Sequence, residues 1–249
     1  MGGKSKLAKR IVARIPAEHL CYCEPFCGAG WVFFSKEPSR VEVINDRDLE
    51  LVTFWRVVQN HLEEFLRFYK YAVVSRNIFE LEKRKDPSGL TDIQRACRYY
   101  YLQKLSFAGK TVGRTFGTGT ERPAGLNLSN IEETLLDVHW RLERVTIECL
   151  DGCECIRRYD RPHTFFFIDP PYWATAGYAV PYGEKDYLEL EKTLRGLRGR
   201  FLLTLNDVPE VRAVFKRFTQ ERVSLKYSCS KDAASRAEDR HELMIHNLA

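Results

Sequence analysis

The chain has 249 residues, a net charge of +5 and 44% hydrophobic residues. That suits one catalytic domain with a modest insertion and an ordinary globular composition, and no apolar segment approaches membrane-spanning length. Met1 to Arg14 is basic and short of apolar residues, unlike a signal peptide, so a cytoplasmic chain is expected.

In chain order, the basic arm is followed by a strand over Leu20–Phe26 and then by Cys27-Gly28-Ala29-Gly30. Trp31-Val32-Phe33-Phe34 reads as the buried start of a helix. Glycine lets the backbone approach a ligand closely, and a helix start offers unpaired N–H groups. Val41 to Asp46 is a second strand closing on an acid, 18 positions after Gly28. That is near the spacing at which an acid binds ribose hydroxyls in nucleotide folds. Asp46 can equally cap the helix that begins near Leu49, and the two roles can coexist.

From Phe54 to about Arg144 the pattern turns helical. Phe65, Phe68, Tyr69 and Ala72 recur at helical spacing, as do Tyr99, Leu102 and Leu105. Asp86-Pro87-Ser88-Gly89 separates two helices, and Thr91 caps the next. Between Arg95 and Arg122 six basic residues face one acid, Glu121. Within that stretch Lys110 to Thr120 is a polar, glycine-rich loop. Lys, Arg, Thr and an aromatic on such a loop suit phosphate contact with some base readout, although a basic run is also what a solvated face looks like. A further helix covers Ile131 to Leu142. The sheet resumes at Val145 to Asp151, where Asp151-Gly152 is a turn signal.

The cysteines carry no C-x-x-C pair. Cys21 with Cys23, and Cys153 with Cys155, have the spacing of alternate strand positions. Buried thiols are the reading, with no metal site.

Thr164-Phe165-Phe166-Phe167-Ile168 is an apolar, β-prone run that stops at Asp169-Pro170-Pro171-Tyr172-Trp173. Neither proline can donate to a sheet ladder. A carboxylate, a backbone carbonyl and a flat aromatic face therefore collect at the strand's C-terminal edge, where open α/β sheets bind ligands. Two acceptors beside a stacking surface suit a planar group bearing an amine, such as adenine with its N6. The plain alternative is a strand ending in a proline turn. Beyond it come a helix near Asp186 to Leu197, a strand over Phe201–Leu205, and a helix opened by Asp207, which has capping-box spacing to Glu210. Strands at Val223–Tyr227 and His241–His246 close the chain. Strands alternating with helices make an α/β sheet, with residues 1–53 and 145–249 as one domain and 54–144 as a helical insertion.

Phe26-Cys27-Gly28-Ala29-Gly30 followed by Asp169-Pro170-Pro171-Tyr172 resembles the FxGxG and DPPY pair of DNA N6-adenine methyltransferases. More narrowly, the order of motifs is similar to the Dam-like, D12 class. Gly2-Gly3-Lys4 resembles that family's AGGK element, and Leu102 to Lys110 resembles its LN-K-x-x-F-x-G segment, with Gln103 where asparagine is usual. Leu202 to Asp207 and His241 to Ile245 resemble its later strands. The resemblance implies a Rossmann-like S-adenosylmethionine-dependent sheet with an inserted target-recognition domain, acting as a monomer on double-stranded DNA. It implies that Asp169, Pro170, Pro171 and Tyr172 are catalytic. It implies that Lys4, Phe26, Gly28, Ala29, Gly30, Asp46, Asp151 and Asp169 hold the cofactor, and that Lys104, Phe107, Lys110 and Arg114 contact DNA. An RNA adenine methyltransferase can carry the same tetrapeptide. A protein-glutamine or small-molecule methyltransferase would more often carry Asn in place of Asp169. A decayed DNA-binding module would be expected to have lost the intact motif residues.

Overall fold

The computed structural model describes residues 4–107, 112–120, 125–175, 181–225 and 240–248. The chain divides into two compact units, one built mainly from Asp48–Cys149 and the other from Gly2–Arg47, Leu150–Ala176 and Pro181–Ala249.

The second unit carries six strands of one sheet: β1 (Cys21–Glu24), β2 (Val41–Asn45), β4 (Thr164–Ile168), β5 (Arg200–Asn206), β6 (Thr219–Leu225) and β7 (Arg240–His246). A short strand, β3 (Thr146–Glu148), belongs to the first unit. Among the six the order is β2-β1-β4-β5-β7-β6. β1 is parallel to β2 on one side and to β4 on the other, and β4 is parallel to β5. β7 runs antiparallel between β5 and β6. The chain order therefore reverses at β1, so β1 and β4 flank the switch point at which open α/β sheets bind ligands. β4 is buried along its whole length, as its unbroken Phe-Phe-Phe-Ile run requires.

The expected basic arm is helix α1 (Lys4–Val12), which buries Leu7, Ala8 and Ile11. After the glycine loop there is only a single 3-10 turn, Phe33–Ser35, and Trp31 is 46% exposed. Lys36 is already extended at φ −103 and ψ 155, and Pro38 follows without an N–H to donate, so no longer helix forms there. Cys153 and Cys155 lie on helix α7 (Gly152–Tyr159), not on a strand. The Asp151 carboxylate accepts from the Cys153 and Glu154 N–H groups and starts that helix, so the preceding strand stops at Glu148. Cys21, Cys23, Cys27, Cys97, Cys153 and Cys155 are buried thiols, whereas Cys149 is exposed.

Asp207 does not cap helix α9 (Pro209–Val214); it pairs with Arg212 and Arg222 instead. Between β4 and β5 lies α8 (Glu184–Arg195), close to the range expected for it.

The first unit is helical: α2 (Leu49–Asn60), α3 (Leu62–Tyr69), α4 (Arg76–Arg84), α5 (Asp92–Leu105) and α6 (Ile131–Leu142). Its core is aromatic, with Phe54 stacked on Tyr100 at 5.5 Å and Phe65 edge-on to Tyr100 at 5.5 Å. Tyr69 joins them and donates to the Cys97 carbonyl, whereas Phe68 points outward at 50% exposure. Thr91 and Gln94 form the capping box that opens α5. Among the described residues no helix is long and apolar enough to cross a membrane.

Candidate active site

The glycine turn leaves β1 at Pro25 and is held on the end of β2. Cys27 N–H donates to the Asn45 carbonyl at 2.8 Å, and Gly28 N–H donates to Asp46 Oδ2 at 2.9 Å. Gly28 and Gly30 have φ of +49 and +67, a region that glycine enters without strain. A side chain at Gly30 would strike the Phe34 ring, whereas nothing lies within 4 Å of where a Cβ on Gly28 would sit. The turn thus pairs an open backbone cradle with a half-buried carboxylate, a donor and acceptor set that fits a nucleoside cofactor with ribose hydroxyls. Asp46 is not the helix cap: Asp48 takes that role, accepting from Glu50 and Leu51 N–H. Ala29 is exposed on this turn.

Asn45, fully buried at the end of β2, ties three loops together. Its Nδ2 donates to the Pro25 carbonyl at 2.7 Å and the Leu150 carbonyl at 3.1 Å, while its Oδ1 accepts from Leu150 N–H at 2.8 Å. Phe26, Asp46 and Asp151 each follow directly from one of these anchored residues. Asp151 is exposed and faces Arg47 at 3.8 Å. Gly152 is required beside it, because a Cβ there would lie 2.1 Å from the Phe26 ring. Lys4 is the first residue of α1; Gly2, Gly3 and Lys110 lie outside the described residues.

The β4–β5 ladder ends at Ile168 opposite Leu203, and Asp169 follows, half-buried. Thr204 Oγ1 donates to Asp169 Oδ1 at 3.0 Å. Pro170 is buried, and among the described residues nothing donates to its carbonyl. The Pro171 carbonyl accepts from the Tyr187 hydroxyl at 2.5 Å. Trp173 N–H donates to Asn206 Oδ1 at 2.9 Å, and Asn206 Nδ2 donates back to the Trp173 carbonyl at 3.2 Å. Ala174 then turns the chain with φ 54, a conformation that costs a non-glycine residue about 1–3 kcal/mol and clusters at functional sites. Tyr172 is half-buried between these fixed points. Trp173 packs on Tyr187 at 4.8 Å, so it supports the turn from within. Tyr187 meets Tyr182 at 4.8 Å, and Tyr182 meets Phe26 at 5.8 Å. One chain of rings thus joins the glycine turn to the Asp-Pro-Pro-Tyr turn.

Glu24, at the end of β1, is a site residue that sequence patterning did not single out. It is 1% exposed and accepts from the Tyr22 hydroxyl at 2.5 Å. Burial pushes its carboxyl up to about 8, and the nearby Asp169 charge adds to the shift. The shift favours the protonated form of Glu24, which lessens the negative charge beside Asp169. A buried acid in a strand leaves no periodic mark, so nothing in the sequence flagged it.

In the helical unit, Phe107 N–H donates to the Thr115 carbonyl and Gly117 N–H to the Leu105 carbonyl, both at 2.8 Å. These bonds close the neck of the basic loop. Phe116 sits in its base against Phe79 at 5.5 Å, with the Arg76 guanidinium over its ring. Lys104 and Phe107 are exposed. Arg114 turns inward: its guanidinium lies 5.5 Å from the Tyr99 ring centre and donates to Gln103 Oε1 at 3.5 Å. Burial lowers its pKa.

A profile described as the D12 class N6 adenine-specific DNA methyltransferase matches residues 1–229. The chain belongs to this family. Among its relatives is a Type II methyltransferase, M1.LlaDCHI, of Lactococcus lactis subsp. cremoris, 28% identical over 114 residues. Another is a DNA adenine methylase of Haemophilus influenzae, 23% identical over 113 residues. Each match takes in 43% of this chain and about two fifths of the relative, 40% and 39% respectively. Among solved structures, a SAM-dependent O-methyltransferase from Thermotoga maritima is similar at 12% identity and a TM-score of 0.44, covering 98% of this chain and 65% of that one. For this D12-class chain, the motif pair quoted from the sequence follows the C-terminal ends of neighbouring parallel strands, β1 and β4, at the same sheet edge.

Proposed function

We propose that this D12-class chain is a DNA adenine N6-methyltransferase that uses S-adenosylmethionine and acts on an adenine turned out of double-stranded DNA. The observation that carries the reading is the arrangement at the switch point. The Asp169 carboxylate and the Pro170 carbonyl end β4, and the Gly28–Asp46 turn ends the adjoining strands β1 and β2.

Gly28, Ala29 and Gly30 would hold the cofactor by their backbone, with Asp46 at its ribose and Phe26, Asp151 and Lys4 around it. When bound, S-adenosylmethionine supplies an electrophilic methyl group. The protein's own task is to make N6 a nucleophile, since its lone pair is conjugated with the adenine ring. Asp169 and the Pro170 carbonyl accept the two N6 hydrogens and favour a pyramidal nitrogen. They also stabilise the positive charge that develops on N6 during transfer, a charge relieved as one N6 proton is lost to solvent, which is catalysis by positioning and electrostatics. Tyr172 stacks on the base, returning roughly 1–3 kcal/mol of the cost of taking it from the helix. Trp173 buttresses this turn.

The helical insertion, taken as residues 54–144, is the proposed target-recognition element. Lys104, Phe107 and Lys110 are its leading DNA contacts, while Arg114 packs on Tyr99 and Gln103. A cytoplasmic monomer is the form this reading assumes. Methyl-labelled S-adenosylmethionine incubated with the purified chain and either duplex DNA or RNA, followed by digestion to nucleosides, tests the assignment. Label in N6-methyldeoxyadenosine supports it; label confined to RNA, or none, refutes it.

A further inference from the structure

The Asp-Pro-Pro-Tyr turn has lost the means by which a strand is ordinarily held. Its two prolines donate nothing, and the ladder with β5 stops at Ile168 opposite Leu203. β5 nevertheless continues past that point, and its next alternate residues, Thr204 and Asn206, take over with their side chains. Thr204 is wholly buried, and its hydroxyl lies 3.0 Å from Asp169 Oδ1 and 3.5 Å from the Ile168 carbonyl. One hydroxyl hydrogen serves one acceptor, and the nearer carboxylate takes it. Two residues on, the Asn206 amide meets both the N–H and the carbonyl of Trp173, at 2.9 and 3.2 Å. It copies with a side chain the two hydrogen bonds that a paired strand residue would make. Between the two anchors the Tyr187 hydroxyl holds the Pro171 carbonyl.

We propose that Thr204 and Asn206 are positioning residues for methyl transfer, fixing the Asp169–Trp173 turn from its two ends. This rests on the function proposed above. Thr204 sets the direction of the carboxylate that accepts a hydrogen bond from N6. Asn206 sets the height of the backbone just after Tyr172, and with it the plane on which the base stacks. The two roles differ in what their loss does. Misdirecting the carboxylate slows the chemical step with ground-state binding intact, whereas loosening the stacking plane weakens capture of the base.

Single-turnover and steady-state methylation of duplex DNA by Thr204→Val, Thr204→Ser and Asn206→Ala separate these roles. Valine matches threonine in shape but donates nothing. Thr204→Val should lower kcat by about 10- to 100-fold, as a small misplacement of a catalytic group does, with KM for DNA and affinity for S-adenosylmethionine unchanged. Thr204→Ser, which keeps the hydroxyl, should restore most of the rate. Asn206→Ala should raise KM for DNA and reduce the fluorescence gain of 2-aminopurine placed at the target base. A full rate in Thr204→Val, or a rate in Thr204→Ser no better than in Thr204→Val, overturns the carboxylate role.

Amide hydrogen exchange over residues 168–175, measured without DNA or cofactor, tests the clamp independently. Asn206→Ala should exchange faster at Trp173, and unchanged exchange overturns the clamp. If wild-type protein methylates no adenine while exchange responds as expected, the functional reading fails and the clamp stands.

Discussion

Asn45 and Leu150, 105 positions apart, are joined by a pair of hydrogen bonds between the Asn45 side-chain amide and the Leu150 backbone. The same amide also holds Pro25. One buried side chain therefore sets the spacing between the loops that carry Phe26, Asp46 and Asp151. Replacing Asn45 by Ala would strand the buried Pro25 carbonyl and the part-buried N–H and carbonyl of Leu150, a fully buried loss costing about 1–3 kcal/mol and a part-buried one less. Urea unfolding of Asn45→Ala should show a loss of roughly 3 kcal/mol by the same reckoning, accompanied by weaker cofactor binding. A loss below ~1 kcal/mol would mean that water or neighbouring groups replace the amide readily.

Asp46 has two tasks in this account: it braces Gly28 N–H and it meets the cofactor ribose. Asp46→Ala should weaken S-adenosylmethionine binding by about tenfold or more, in line with the loss of a charged hydrogen bond worth about 1.5–3 kcal/mol. Calorimetric titration is the measurement. Unchanged affinity would reduce Asp46 to a brace for the turn.

Glu24 predicts a pH dependence of known sign. Its native pKa of about 8 lies above the ordinary carboxylate value, chiefly because of burial and next because of Asp169. Between pH ~4 and pH 8 the folded state holds a proton that the unfolded chain gives up, so this contribution is full below ~4 and is lost as pH rises through about 8. Glu24→Gln keeps an acceptor for Tyr22 and removes the titration. Its melting temperature should match wild type near pH 4, exceed it increasingly towards pH 8, and then hold a constant lead above that. A constant difference across that range would show that Glu24 is ionised throughout.

The basic loop divides into exposed and inward-facing cations. Lys104→Ala should flatten the dependence of log affinity on log salt by about 0.9, the value for one phosphate contact, without changing the melting temperature. Arg114→Ala should cost about 0.5–3 kcal/mol of stability through lost packing on Tyr99. If Arg114→Ala instead leaves stability alone and flattens the salt slope, the side chain works on DNA and its inward pose is a resting state.

How much of this was written in the sequence depends on the kind of signal. The apolar run ending at Asp169 and the glycine turn after β1 were legible because strand periodicity and Gly or Pro punctuation are local. The cap at Thr91 was legible for the same reason, whereas its completion as a capping box by Gln94 came from the structure. The helix expected after Gly30 failed because Pro38 and an extended Lys36 cut it short, a stop that outweighed the apolar run before it. Cys153 and Cys155 looked like alternate strand residues until the Asp151 cap placed them on α7. The partnerships of Asn45 with Leu150, Glu24 with Asp169, and Thr204 with Asp169 span large sequence separations. They exist only once the sheet is assembled.

In the proposed function Asp169 drives methylation of adenine N6 in DNA. Base-resolution mapping of N6-methyladenine on plasmid DNA, from cells expressing either the wild-type chain or Asp169→Ala, puts this to the test. Methylated adenines are expected at one recurring sequence with the wild-type chain and none with Asp169→Ala, while the variant still binds S-adenosylmethionine. Methylation persisting in Asp169→Ala at more than about a tenth of the wild-type level, a loss of less than ~1.4 kcal/mol in the barrier, would contradict it.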